Sequence, residues 1–256
     1  MARRSWTRDE LILAMNLYCQ LPFGRFHKGA PEVIRLASAI DRTPSSVAMK
    51  LSNLASLDPA HLDRGVKGLS GASQADRQVW REFHDDWERL SSESEALRER
   101  YNLVSEEGRE EVFSDAGEFT GATDRPLTVA ARCAQGFFRR SVLASYENRC
   151  CVSEVNLPQL LIASHILPWS KFPGQRVDPR NGLCLSRLHD AAFDQGLITF
   201  DEDFRLVLSS SLKEATTNSV LRTAFHGYEG HAMRQPHRFR PRSQYFEWHR
   251  TECFQG

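Results

Sequence analysis

Residues 105–126, SEEGREEVFSDAGEFTGATDRP, constrain this chain most. The stretch is acidic, rich in Gly, Ser and Thr, and poor in large apolar residues. It cannot bury enough apolar surface to join a core, so it reads as a linker, partly disordered. The residues before it have helical periodicity. Those after it alternate between helical and strand-like text. The pattern predicts an α+β chain, with a helical domain over 1–60, an acidic helical linker region over 61–125 and a second domain over 126–256. The 256 residues, 41% of them apolar, suffice for two small cores.

The net charge is zero, but its distribution is uneven. Residues 1–60 carry 8 Lys/Arg against 5 Asp/Glu, residues 61–125 carry 9 against 16, and residues 126–256 carry 16 against 12. Two basic ends flank an acidic middle, and basic ends suit a polyanion such as nucleic acid. No apolar run reaches 18 residues, so no membrane span is expected. MARRSWTRDE lacks the apolar core of a signal peptide, and a cytoplasmic protein is the default expectation.

The first 60 residues predict three helices. TRDELILAMNLYCQL places Leu11, Met15 and Tyr18 at helical spacing, and Thr7 with Glu10 forms a capping box. PFGRFHKG is a loop. PEVIRLASAI opens with Pro31, suited to a first helical turn. A third helix starts near Pro44 and ends before Pro59. Its beginning, TPSSVAMKLSN, gives the unit a helix-turn-helix character. Val47, Leu51 and Leu54 are expected inward, and Ser45, Ser46, Lys50 and Asn53 outward, toward a DNA major groove. Residues 61–69 form a Gly-broken loop. SQADRQVWREFHDDWERLSSESEALRERYNL then predicts a long helix or helix pair whose Trp80, Phe83 and Trp87 share a packed face.

Beyond the linker, AARCAQGFFRRSVLASY predicts a helix that buries Phe137, Phe138 and Val142 and exposes Arg139 and Arg140. CCVSEVNLPQLLIASHILPW reads as a short hairpin-like element and SKFPGQRVDPR as a polar loop. NGLCLSRLHDAAFDQGLITFDEDFRLVLS runs from strand to helix, then into two strands around DEDF.

Three polar residues in this half stand in a telling order. His165 ends the first strand. Asn181 follows after a 15-residue gap, and His189 lies eight positions further on, where a helix begins. The text SHILPW…DPRNGLCLSRLHDAAFDQGLI, over roughly residues 145–210, resembles the HNH nucleases of the ββα-metal fold. The resemblance is closest to the branch with an A-H-I-x-P-W first strand and an N-G-L-x-L-x-x-x-x-H-x-x-F-D-x-G second half.

That resemblance implies phosphodiester hydrolysis. His165 would deprotonate the attacking water, since a neutral imidazole is a good base near pH 7. Asn181 would fix the base histidine or its loop by hydrogen bonds. His189 would bind a divalent cation, Mg²⁺ or Mn²⁺, acting as Lewis acid on the phosphate and stabilising the leaving 3′ oxygen. Many such sites carry an Asp or His just before the base histidine as a second metal ligand. Here that position is Ser164, a weak ligand. Asp194 is either a further ligand or a cap on the turn before the next strand, and Asp190 falls on a different helix face from His189.

No CxxC pair accompanies Cys150, Cys151 or Cys184, so these thiols read as small core residues and no structural zinc is expected. HAMRQPHRFRPRSQYFEWHR, residues 231–250, is the strongest basic cluster. Arg234, Arg238, Arg240 and Arg242 are its candidate DNA-backbone contacts, and a helix packed through Tyr245, Phe246 and Trp248 is the plainer reading. RTPSSVAMKLSNLASLDP resembles the helical region that precedes HNH modules in bacterial restriction endonucleases. The combined expectation is a homodimeric endonuclease acting on foreign double-stranded DNA, base-modified DNA included. The alternatives are a non-catalytic DNA-binding protein with a degenerate HNH fold and a toxin-type or RNA nuclease.

Overall fold

The computed structural model describes residues 4–62, 71–103, 129–215 and 217–256. The acidic linker text and most of the 61–69 loop lie outside them. The chain forms two compact units, residues 1–140 and 141–256.

In the first unit, helix α1 (Arg8–Gln20) begins at the expected capping box. Thr7 Oγ1 accepts from the Glu10 N–H at 3.3 Å, and the Thr7 N–H donates to Glu10 Oε2 at 2.9 Å. Not only Leu11, Met15 and Tyr18 but also Ile12, Leu13, Ala14 and Cys19 are buried. This helix is the centre of the unit rather than a one-faced surface helix. Helix α2 (Pro31–Ala39) and helix α3 (Pro44–Ala55) both start with proline in the first turn, where its missing N–H costs nothing. Asp41 takes φ 52° in the turn between them. A short α4 (Pro59–Leu62) comes next.

The charged segment beyond is a helix pair, α5 (Gln74–Phe83) and α6 (Trp87–Arg100), with Asp86 capping the second helix. Both belong to the same unit as α1 and α3. Trp80, Phe83 and Trp87 are buried as expected, and Trp80 meets the Tyr18 ring edge-on at 5.7 Å. Asn16 Nδ2 donates to Ser94 Oγ at 2.7 Å. These bonds and ring contacts make residues 74–100 part of the helical core rather than a spacer.

Two residues expected on the outer face of α3 are buried. Lys50 is 6% exposed and donates through Nζ to Asp76 Oδ1 at 2.6 Å; Asn53 is 8% exposed. Helix α5 covers that face of α3, a packing that the local pattern of α3 does not encode. Ser45 is exposed and Ser46 half-buried, with Met49 beside them 55% exposed.

Helix α7 (Val129–Ser145), within which the unit boundary falls, buries Phe137, Phe138 and Val142. A tight turn in the second unit is closed by Cys150 N–H to Val155 O at 2.8 Å. Strand β1 (Leu161–His165) does not form a hairpin with this preceding text. It pairs antiparallel with β2 (Gly182–Ser186), with Leu161 opposite Ser186 and His165 opposite Gly182. Helix α8 (Arg187–Asp194) leaves β2 directly and packs on both strands. Strands β3 (Ile198–Phe200) and β4 (Leu206–Leu208) pair antiparallel around the DEDF turn. Two short helices, α9 (Ser210–Glu214) and α10 (Ser219–Ala224), and a final α11 (Ser243–Glu252) complete the unit.

Gly196 ends α8 at φ 66°, with its N–H bonded to Phe193 O and the Leu197 N–H to Ala192 O. This is the left-handed helix stop that glycine favours. A Cβ there would lie 2.0 Å from Cys253 O, so no other residue fits. The glycine of the F-D-x-G text is thus a packing requirement.

Candidate active site

The two strands and α8 bring His165, Asn181 and His189 to one region of the second unit. His165 stands at the end of β1, half-buried. Its Nε2 lies 2.9 Å from Arg176 O. A carbonyl can only accept, so Nε2 carries the proton and Nδ1 is the basic nitrogen of the neutral ring. Burial pushes the imidazole down to about 4, and the Arg176 carbonyl offsets this only in part. The ring therefore stays neutral at physiological pH. Trp169 packs edge-on against it at 5.5 Å, and Arg176 covers Trp169 while donating through Nε to its carbonyl at 2.7 Å.

Asn181 is fully buried and clamps the loop that separates the strands. Its Oδ1 accepts from the Leu167 N–H at 2.8 Å. Its Nδ2 donates to Leu167 O at 3.1 Å and Gln175 O at 3.2 Å. Both ends of the 166–180 loop are thereby held, and with them the Arg176 carbonyl that orients His165. From outside, Phe172 and Lys171 of the same loop pack on Trp248 of α11. The expected orienting role of Asn181 has this geometry.

His189 is different. It is 2% exposed, and both ring nitrogens are engaged. Nε2 faces Ala224 O at 2.8 Å and so carries the proton; Nδ1 accepts from Ser186 Oγ at 2.7 Å. The same hydroxyl caps α8 by accepting the His189 N–H at 3.3 Å. Phe225 closes over the ring edge-on at 5.2 Å. In this arrangement His189 ties α8 to α10, and ligating a cation would require breaking one of these bonds.

Among the described residues no group of three or more His, Cys, Asp or Glu surrounds a single point. A cation here would be held by fewer protein ligands, with water and substrate oxygens completing its shell. That is the usual condition of Mg²⁺. Two features fit it. Ser164 Oγ, next to His165, is buried without a hydrogen-bond partner. Asp190 and Asp194 lie one helical turn apart, on a face of α8 other than that of His189. Asp190 is 7% exposed and Asp194 is exposed. The helix stop itself is made by Gly196.

Cys150, Cys151 and Cys184 are buried thiols, as expected of core cysteines. Cys150 nevertheless contacts His189, Sγ to Nδ1 at 3.8 Å, and accepts the Ser153 N–H.

The C-terminal arginines divide. Arg238 is 2% exposed and lies against Phe239, so it is not available to DNA. Arg234 is bound to Glu147 at 2.7 Å and Glu154 at 3.3 Å. Arg240 and Arg242 are exposed. Two of the four candidate cations are therefore taken, Arg238 by burial and Arg234 by ion pairs.

Two antiparallel strands and a helix packed on both make a ββα arrangement, with a histidine at the strand end. Residues 150–201 match the family model of HNH endonucleases, which makes this an HNH-family segment, of a class of hydrolases acting on nucleic acids. No curated protein matches the chain. Among the described residues no helix is long and apolar enough to cross a membrane.

Proposed function

We propose that the protein is a divalent-metal-dependent DNA endonuclease that cuts foreign double-stranded DNA as a restriction enzyme. The observation that carries this reading is the hydrogen bond from His165 Nε2 to Arg176 O, which leaves Nδ1 of a neutral imidazole as a base. His165 takes the proton from the attacking water. Asn181 holds the loop that holds His165. Asp190 and Asp194 are the oxygen donors for Mg²⁺ or Mn²⁺, with the Ser164 hydroxyl, beside His165 in sequence, as a further candidate. Such a cation, when bound, supplies Lewis-acid polarisation of the phosphate and charge for the leaving oxygen. Arg240 and Arg242 contact the phosphate backbone. The helical first unit contacts DNA, and two copies act together, one for each strand.

The test is cleavage of plasmid, of base-modified phage DNA and of single-stranded RNA, each with Mg²⁺, Mn²⁺ or EDTA. Metal-dependent cutting of duplex DNA that His165→Ala abolishes is expected. Cutting of RNA alone would remove the restriction reading. Binding of DNA with no cleavage by the wild type would leave a non-catalytic HNH fold.

A further inference from the structure

The outer face of α3 is poorly equipped to hold DNA. Its exposed and half-buried side chains include Ser45, Ser46, Ala48, Met49 and Ser52, none of them charged, while Lys50 is consumed by Asp76. Most other cations of the first unit are also neutralised. Arg4 and Arg42 bind Glu10, Arg8 and Arg89 bind Glu82 and Glu93, Arg98 binds Glu95 and Arg100 binds Asp9. Arg77 and Arg81 are exposed on α5, but Glu82, Asp85 and Asp86 come directly after them.

Among the described residues of α1 to α6, the connection from α1 to α2 is the exception. Lys28 in the loop and Arg35 on α2 are exposed, and neither has a carboxylate partner among the described residues. The loop is also firmly built. Its two ends, Leu21 and Ala30, are buried, and Phe26 packs on the buried Tyr18 at 5.5 Å. Backbone bonds Arg25 N–H to Pro22 O and Ala30 N–H to His27 O close it into turns. Arg25 is neutralised by Glu32, so the excess charge sits on Lys28 and Arg35, with the His27 imidazole beside them. Phe23, at the loop tip, is left 41% exposed although Phe26 is packed inward against it. A firmly built loop that carries an exposed aromatic ring and an exposed lysine, and leads into a helix with an exposed arginine, has the chemistry of a phosphate-backbone contact with an apolar anchor.

We propose that residues 22–29, together with Arg35, form the surface by which the first unit holds duplex DNA, in place of the outer face of α3. Lys28 and Arg35 engage phosphates and Phe23 packs on sugar or base. This rests on the nucleic-acid substrate of the proposed function, but it concerns binding and not cleavage.

The experiment measures binding of a fluorescent DNA duplex to the full chain over a series of NaCl concentrations, without divalent metal. The double variant Lys28→Ala, Arg35→Ala is expected to bind more weakly and to lower the slope of log K against log salt by about 2, close to one for each phosphate no longer engaged. Phe23→Ala is expected to weaken binding with the slope unchanged. Met49→Ala, on the outer face of α3, is expected to leave both as they are. All four positions are exposed, and thermal melts check that the fold is kept. Unchanged affinity and slope in the double variant would overturn the proposal, as would weakening by Met49→Ala alone. Binding of RNA with no binding of duplex would overturn it too. Plasmid cleavage is followed in parallel. Cleavage intact with binding unaffected by the double variant sinks only this surface, whereas binding lost in the double variant with no cleavage by the wild type sinks only the endonuclease reading.

Discussion

Asn181 and Leu167 exchange two hydrogen bonds across the base of the 166–180 loop: the amide oxygen accepts the backbone N–H at 2.8 Å and the amide nitrogen donates to the backbone carbonyl at 3.1 Å. An asparagine can satisfy both backbone groups of one residue because it carries a donor and an acceptor side by side. The loop returns through this pair to the Arg176 carbonyl that fixes His165.

Asn181→Asp should therefore cost more than a lost amide. The aspartate retains the acceptor for Leu167 N–H, but it faces the carbonyls of Leu167 and Gln175 with no donor. We expect a loss of about 2–3 kcal/mol in stability from the unsatisfied buried groups. Cleavage should fall further than the change in folded fraction explains. Denaturant melts and single-turnover cleavage, measured together, check this; an unaltered melting midpoint would contradict the clamp.

His165→Ala should reduce the cleavage rate about 10²–10⁴-fold, the range of a general base, with DNA affinity nearly unchanged and the melting temperature lowered, because the Arg176 carbonyl loses its donor. Gel shifts and plasmid cleavage read the two separately. The acid limb should also be unusual. Burial holds His165 near 4, so the base is neutral far below the ordinary histidine range. The kcat/KM profile should stay flat from neutral pH to about 5. A limb centred at 6.5 would contradict this.

His189 and Asp190 should separate by readout. Asp190→Asn and Asp194→Asn should weaken Mn²⁺ binding in a calorimetric titration while the fold survives. His189→Gln should lower the melting temperature, because the ring bridges Ser186 and Ala224. It should leave the metal affinity of the folded fraction unchanged. Loss of metal binding in His189→Gln alone would restore the histidine as a ligand.

Acid should unfold the second unit early. His249 is stacked on Phe193 at 3.8 Å, accepts from Thr199 Oγ1 and donates to Phe193 O. Burial lowers it from 6.5 to about 4. A depressed histidine binds its proton more readily when unfolded. Its contribution is complete above pH 6.5 and is lost as pH falls toward 4, by about 3 kcal/mol in all. His165 acts in the same direction. Thermal melts of His249→Phe, compared with the wild type from pH 7 to 4.5, should show a shallower pH dependence.

Lys50→Met should destabilise the first unit by about 3–5 kcal/mol, since it strands Asp76 in the core. Adding Asp76→Leu should recover much of the loss. In the double variant DNA affinity should match the wild type, because Lys50 has no path to a phosphate.

The parts of this protein that were legible in sequence are those set by local chemistry. Thr7 caps α1 because a short side-chain oxygen reaches the free N–H groups of the first turn. The order His165, Asn181, His189 marked the domain, and the family match over 150–201 agrees with it. Position along the chain did not reveal tasks. Lys50 and Arg238 look like surface cations in any local window, yet both are buried by neighbours distant in sequence.

Local spacing determined where helices begin, which strand ends on a histidine, and that Asp190 and Asp194 share a helix face. Only the tertiary structure decided that His189 spends its two nitrogens on Ser186 and Ala224, and that Asn181 grips Leu167. The reason is physical. A helix or a cap is closed by groups a few residues apart, as is the bond from Ser186 to His189, whereas Asn181 meets Leu167 from 14 residues away and His189 meets Ala224 from 35.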